Sequence, residues 1–263
     1  MTQRVLITGG ASGLGKELAR QYLKTGAKVL ITDINEQRGN EAEFELKSLG
    51  EVRFVKANTT LDSDWQMLLD WVQNKWDGLD VLVNNAGVAA GGRIDKISME
   101  DWDWIIDINL KGVIRGCRTF VPLFKQQKSG HIVNIASLAA VANAPTMSSY
   151  NVTKAGVVSL SETLRHELAP YGIHTTVVCP SFFQTNLAEN MRTPEAGMDQ
   201  TVRKLLSGGK LSAEQVAQQV TDKIERTLQE VPYADKIRSY SKPGEAQIIF
   251  QIKDNSKPGD VPQ

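Results

Sequence analysis

RVLITGGASGLGKELARQYLKTG, residues 4–26, reads as a strand, a turn and a helix in immediate succession. RVLIT is a short run of aliphatic and β-branched residues that ends at glycine, the pattern of a buried strand. Gly9, Gly13 and Gly15 then allow a tight turn, a close approach of backbone to a phosphate group, and close packing of a helix on a sheet. With Ser12 and Leu14 they form a loop whose following helix aims unpaired N–H groups and a partial positive charge at any anion held there. The chain next enters KVLITD, residues 28–33, a second apolar strand. Two such strands joined through a helix must run parallel, and the crossover is almost always right-handed.

The same alternation continues outward. VRFVKA (52–57), LDVLVNNAG (79–87), HIVNIAS (131–137) and HTTVVCP (174–180) are strand-like runs separated by segments of helical periodicity. Nearly continuous apolar strands imply a sheet covered on both faces. The expected fold is therefore α/β, a doubly wound Rossmann-type parallel sheet with helices on both faces, built as a single domain over residues 1–263. A long helix is expected from Ser98, where SMED resembles a capping box, through WDWIIDINLKGVIRGCRTFVPLF, with Pro122 tolerated near its end or bending it. Periodicity lapses from Gln184 to Gly209, so a substrate-loop insertion is expected at about 184–211. A helix resumes over 212–230, and an atypical tail at about 231–263 carries a candidate strand at 247–252.

Composition narrows the function. Thirty basic residues balance thirty acidic ones, which leaves no electrostatic footprint for nucleic acid or an anionic membrane. No run approaches the length of a membrane span, and Met1 leads straight into a strand without a basic leader, so a cytoplasmic protein is expected. Cys117 and Cys179 lack the paired spacing of a zinc or redox motif and read as reduced core residues. His131, His166 and His174 show no metal spacing either; each is expected at a strand or helix end, and no metal is expected. Five tryptophans read as helix-face packing rather than base-stacking platforms.

One position selects the dinucleotide. Asp33 ends the second strand, 20 residues after Gly13, where a carboxylate can bind both hydroxyls of an adenosine ribose. A 2′-phosphate would meet that carboxylate, and neither Ser12 nor Ile34 and Asn35 offers a compensating cation; Arg38 should already lie on the next helix. NAD is expected, with NADP disfavoured.

A different chemistry is written in SSYNVTKAGVVSLSETLRHEL, residues 148–168. Tyr150 and Lys154 stand four apart, so on a helix a phenol and an ammonium share one face. A surface pair would look the same, and context must decide.

That context exists. TGGASGLG at 8–15, NNAG at 84–87, Asn109, Ser137 and YNVTK at 150–154 resemble the short-chain dehydrogenase/reductase family, in order and spacing, over about residues 4–190. The resemblance implies a catalytic set of Asn109, Ser137, Tyr150 and Lys154. It also implies cofactor contacts from Gly9, Ser12, Gly13, Leu14, Gly15, Asp33, Asn58, Thr59, Asn85, Gly87, Phe183 and Thr185, with Tyr150 and Lys154 again. Tyr150 would be the general acid/base, Ser137 would hydrogen-bond the reacting oxygen, and Asn109 would hold a water that links Lys154 to solvent. A phenol of pKa about 10 must drop by about 3 to work near neutrality, roughly 4 kcal/mol. An ammonium about 4 Å away supplies on the order of 4 kcal/mol at an effective dielectric near 20.

Three departures stand out: Pro180-Ser181 replaces the family's usual Pro-Gly, Asn58 stands where an aspartate is commoner, and the tail lacks the frequent closing DGG strand. The resemblance implies an oxidoreductase that interconverts an alcohol with a ketone or aldehyde, working as a homodimer or homotetramer. Candidate pocket walls at 138–141, Met147, Phe182, Leu187 and Met191 favour a small hydrophobic alcohol or carbonyl substrate. The alternative from another class is a non-catalytic NAD-binding sensor that regulates a partner.

Overall fold

Burial explains why these strands carry so few polar residues. In the computed structural model, which describes residues 2–229, β1 (Arg4–Thr8), β2 (Lys28–Asp33), β3 (Val52–Lys56), β4 (Val81–Asn84), β5 (Gly130–Ile135) and β6 (Ile173–Val178) form one parallel sheet in the order β3-β2-β1-β4-β5-β6. Val5, Leu6 and Ile7 of β1 are fully buried because helices cover both faces. Alternate residues serve opposite cores. Val5, Ile7, Val29, Ile31, Val81 and Val83 pack against α1 (Gly13–Lys24), α2 (Glu36–Leu46) and α9 (Ala213–Gln229). Leu6, Leu30, Leu82 and Ile132 face α3 (Asp62–Trp76), α5 (Gly112–Gln127) and α7 (Ser148–Leu168). Trp65 and Trp76 are buried on α3, and Trp65 meets Phe120 edge-on with ring centroids 6.4 Å apart.

The long helix expected from Ser98 runs on from Met99 to Gln127, but a π-helical turn (Asp107–Lys111) lies within it between α4 (Met99–Ile106) and α5. Its start is as expected, since the Ser98 hydroxyl accepts a hydrogen bond from the Asp101 N–H at 3.1 Å. Pro122 sits inside α5 without ending it; the carbonyl that loses its donor belongs to exposed Arg118. A second correction concerns the segment after β6. It is not loop throughout, because α8 (Met198–Ser207) forms within it. Between β5 and α7 lies the single-turn α6 (Ala139–Ala142). The candidate strand at 247–252 and the tail at 231–263 fall outside the described residues.

His131 and His174 sit second in β5 and β6, with rings 5.9 Å apart. His131 shares a hydrogen bond with Thr176 at 2.8 Å, and burial pushes it down to about 3, so it stays neutral. Cys117 and Cys179 are both buried free thiols. Among the described residues no helix is long and apolar enough to cross a membrane, and no cluster of metal-ligating side chains forms.

Strand order creates the binding site. Connections from β1 leave toward β2 and β3 on one side, while β4, β5 and β6 lie on the other, so loops diverge above the C-terminal ends of β1 and β4. Open α/β sheets leave a crevice at such a switch point.

Candidate active site

A cavity of about 840 Å³ opens at that crevice. Its floor is the glycine-rich turn. Gly9 and Gly13 adopt φ of +63° and +51°, a region that a side chain disfavours. A β-carbon on Gly13 would lie 3.0 Å from Thr185 Oγ1, so Thr185 closes over the turn from the far side of the sheet. Gly15 does not line the cavity. A β-carbon there would overlap the Gly9 carbonyl oxygen, so its role is to let α1 dock beneath the turn.

Asn85 stitches the turn to β4. Its side-chain amide donates to the carbonyls of Thr8 and Gly9 at 2.9 and 3.2 Å, while the Thr8 hydroxyl accepts from the N–H groups of Asn85 and Ala86, both at 3.0 Å. The backbone next to the cavity is thereby held rigid before any ligand arrives. Asp33 is fixed as well, accepting from the N–H of Ala11 at 3.3 Å and of Asn35 at 3.0 Å. Asn58 accepts from the N–H and hydroxyl of Thr60 at 3.0 and 2.9 Å, which orders the wall that includes Thr59. Gly9, Ser12, Gly13, Leu14, Asp33, Asn58, Thr59, Asn85, Gly87, Phe183 and Thr185 all line the cavity. Ser181 lines it too and does not adopt a positive φ, so the replaced glycine removes no conformation that this backbone needs.

A second constellation lies deeper. Tyr150, Lys154 and Ser137 line the same cavity, with Tyr150 7% and Lys154 4% exposed. Lys154 Nζ donates to the Ile135 carbonyl at 2.9 Å and sits 5.8 Å from the centroid of the Tyr150 ring. Asn109 does not line the cavity; it is wholly buried in the π turn. Its amide oxygen accepts from the Val88 N–H at 2.8 Å, and its amide nitrogen donates to the Val88 carbonyl at 2.9 Å. Gly87 separates it from Lys154: a β-carbon on Gly87 would lie 3.3 Å from Asn109 Oδ1 and 3.6 Å from Lys154 Nζ. Gly156 of α7 lets Leu110 of the π turn press close, which seats Asn109 beside α7. The extra backbone atoms of a π turn re-aim its side chains, and such turns cluster at functional sites. No sequence signal distinguished that turn from ordinary helix.

The electrostatics differ from the expectation that Lys154 depresses the phenol. Burial pushes Tyr150 up to about 12, partly offset by a hydrogen bond with Ser137, and burial pulls Lys154 down to about 8. The physical reason is desolvation: both side chains are buried, and the ammonium donates to the Ile135 carbonyl and lies 5.8 Å from the centroid of the Tyr150 ring.

The far wall is apolar. Leu138, Ala139, Met147, Phe182, Leu187 and Met198 line the cavity, and Gly91 carries no side chain because methionines 147, 191 and 198 crowd onto it. Of the expected wall residues, Ala140, Val141 and Met191 stand outside the lining, and Val141 is 55% exposed. Phe182 is a half-exposed wall, whereas Phe183 is buried in both core and cavity.

Comparison with known proteins places this geometry. A family model described as short chain dehydrogenase matches residues 3–196. The 3-oxoacyl-(acyl-carrier-protein) reductase of Thermotoga maritima is 33% identical over 81% of this chain and 86% of its own length. The reductase of the same name from Synechocystis is 34% identical over 72% and 77%. Among solved structures, a short chain dehydrogenase/reductase from Burkholderia phymatum in complex with NAD superposes with a TM-score of 0.82 at 31% identity, covering 86% of each chain. A short-chain dehydrogenase from Sphingobium yanoikuyae in complex with NADPH gives 0.74 at 25% identity, covering 85% of each.

Proposed function

The chain belongs to the short-chain dehydrogenase/reductase family and is an oxidoreductase, and from that premise we propose that it uses NAD to interconvert a hydrophobic alcohol with its ketone or aldehyde. The observation that carries the proposal is one continuous cavity that holds both the Asp33 end of a dinucleotide site and Tyr150, Lys154 and Ser137. The residues fit the cofactor. The positive-φ glycines form a cradle that side chains would fill, and Asp33 stands ready to accept from ribose hydroxyls. A nicotinamide dinucleotide held by these residues would supply hydride chemistry and, in its oxidised form, positive charge.

The chain's own side chains handle the proton and the oxygen. Tyr150 holds its proton tightly in the free chain, so as general acid it donates to a carbonyl oxygen, and as general base it needs extra positive charge to release the proton first. Ser137 presents its hydroxyl to the same oxygen, its own Oγ accepting from the Ala139 N–H at 3.1 Å. Lys154 orients the cofactor ribose and returns protons toward solvent. Asn109 holds the Val88 backbone and, through the π turn, the environment of Lys154, so the proton path runs past Gly87. The apolar far wall excludes water from the reacting carbon and selects hydrophobic substrates. The same reading includes a single domain, a substrate segment over about 184–211, a cytoplasmic location and a homodimeric or homotetrameric assembly. The sensor alternative finds no support among relatives named as reductases and oxidoreductases.

A screen of secondary alcohols and ketones, followed at the reduced-nicotinamide absorbance with NAD and with NADP, tests the proposal. Turnover of hydrophobic members with NAD is expected. Binding of NAD with no turnover of any of them would restore the sensor reading.

A further inference from the structure

Arg38 is the cation nearest to Asp33 along the cavity wall, and it is already engaged. Its Nη1 lies 2.6 Å from Glu189 Oε2, a residue 151 positions away in the segment after β6. Both ends of this contact are held in place. Asn35 Oδ1 accepts from the Arg38 N–H at 3.0 Å, the first turn of α2 thus being capped. Glu189 N–H donates to the Asn186 carbonyl at 2.9 Å, and its own carbonyl accepts from Arg203 of α8 at 3.3 Å. Asp33, Arg38 and Glu189 all line the cavity, and the Asp33 charge acts on the Arg38 guanidinium as well. The guanidinium is therefore paired with Glu189 and also feels Asp33, with Glu41 of its own helix adding a smaller pull. The other cations that line the cavity among the described residues are committed elsewhere: Arg93 pairs with Asp95 at 3.1 Å, and Lys154 donates to the Ile135 carbonyl at 2.9 Å.

We infer that Glu189 sets the choice between NAD and NADP, by occupying the Arg38 guanidinium, which among the described residues is the cation placed to pair with a 2′-phosphate beside Asp33. A 2′-phosphate carries close to two negative charges, and an arginine fork is its natural partner. While Glu189 holds Arg38, that partner is neutralised and a second carboxylate adds its repulsion. The ion pair is half-exposed, so its net worth to folding is small; its effect lies in local charge. NAD preference thus depends on two carboxylates from opposite sides of the sheet, not on Asp33 alone. The inference rests on the dinucleotide reading above and goes beyond it by making the segment after β6 part of adenosine recognition.

The test is calorimetric titration of adenosine 2′,5′-bisphosphate and of 5′-AMP into the wild-type protein, Glu189→Gln, Arg38→Met and the double variant, with the kcat/KM ratio for NADP against NAD measured alongside. Glu189→Gln is isosteric and half-exposed, and it should fold. It is expected to tighten the 2′,5′-bisphosphate about tenfold, or 1.4 kcal/mol, with AMP affinity changed less than about threefold. The double variant should lose that gain. A gain that survives removal of Arg38, or a Glu189→Gln protein whose ratio of the two affinities stays within about threefold of wild type, overturns the inference and leaves the dinucleotide site intact. Failure of the wild type to bind either nucleotide overturns the dinucleotide reading and the inference together.

Discussion

Lys154→Met should make the protein more stable near pH 6.5 while removing most of its turnover. The ammonium is 4% exposed, and burial lowers its pKa from 10.5 to about 8. That change amounts to about 3 kcal/mol of penalty on the charged form in the folded state. Methionine keeps the unbranched shape and removes the charge, but it leaves the Ile135 carbonyl without its 2.9 Å donor, a loss of about 1–3 kcal/mol. A net gain of about 1 kcal/mol follows, which raises Tm by about 2–4 °C for a chain of this size. The pH dependence makes the cause identifiable. Because the folded pKa lies below the unfolded one, the unfolded chain binds more protons between about pH 8 and 10.5, and wild-type stability rises with pH across that window. Tyr150 acts with the opposite sign: its phenol is raised from 10 to about 12, so above about pH 10 folded stability falls as the unfolded chain alone gives up the proton. The methionine variant lacks the rise. Melting followed by circular dichroism should therefore show the variant ahead at pH 6.5 and the gap closing by pH 9.5. A variant that melts below wild type at pH 6.5, by a margin that does not change with pH, would refute the desolvation account.

Tyr150→Phe removes the proton but little volume, so turnover should fall by about 10² to 10⁴, while NADH affinity from fluorescence titration stays within about threefold; a tenth of wild-type activity in this variant would remove Tyr150 from the chemistry. Gly15→Ala places a β-carbon against the Gly9 carbonyl, and the overpacked turn should cost about 1–3 kcal/mol in urea unfolding and weaken AMP binding; unchanged unfolding would show that α1 has room beneath the turn. Wild-type kcat/KM for NAD should exceed that for NADP by at least about tenfold, and Asp33→Ala should narrow the ratio by a similar factor. A ratio that Asp33→Ala leaves untouched would move the ribose contact away from this carboxylate.

Much of this molecule is local in origin and therefore legible in its sequence. Apolar runs of strand length, glycines at 9, 13 and 15, and an acid at the end of β2 are short-range features whose backbone consequences do not wait on tertiary contacts, and all of them sit where the βαβ pattern puts them. The four-residue spacing of Tyr150 and Lys154 likewise guaranteed a shared helix face. Other features had no local signature. The π turn at 107–111 exists where Leu110 meets Gly156 and Asn109 pairs with Val88, both contacts made across the fold. The pairing of Arg38 with Glu189 joins residues from opposite halves of the sheet. The direction in which Tyr150 and Lys154 shift is a matter of desolvation, which depends on everything packed around them and on which way the ammonium turns. Sequence by itself determined the strands, their parallel arrangement and the residue types at the site, because periodicity and backbone freedom act over a few residues. Tertiary structure alone decided which of those residues touch and what charge they carry, because contact and dielectric are set by neighbours distant in the chain.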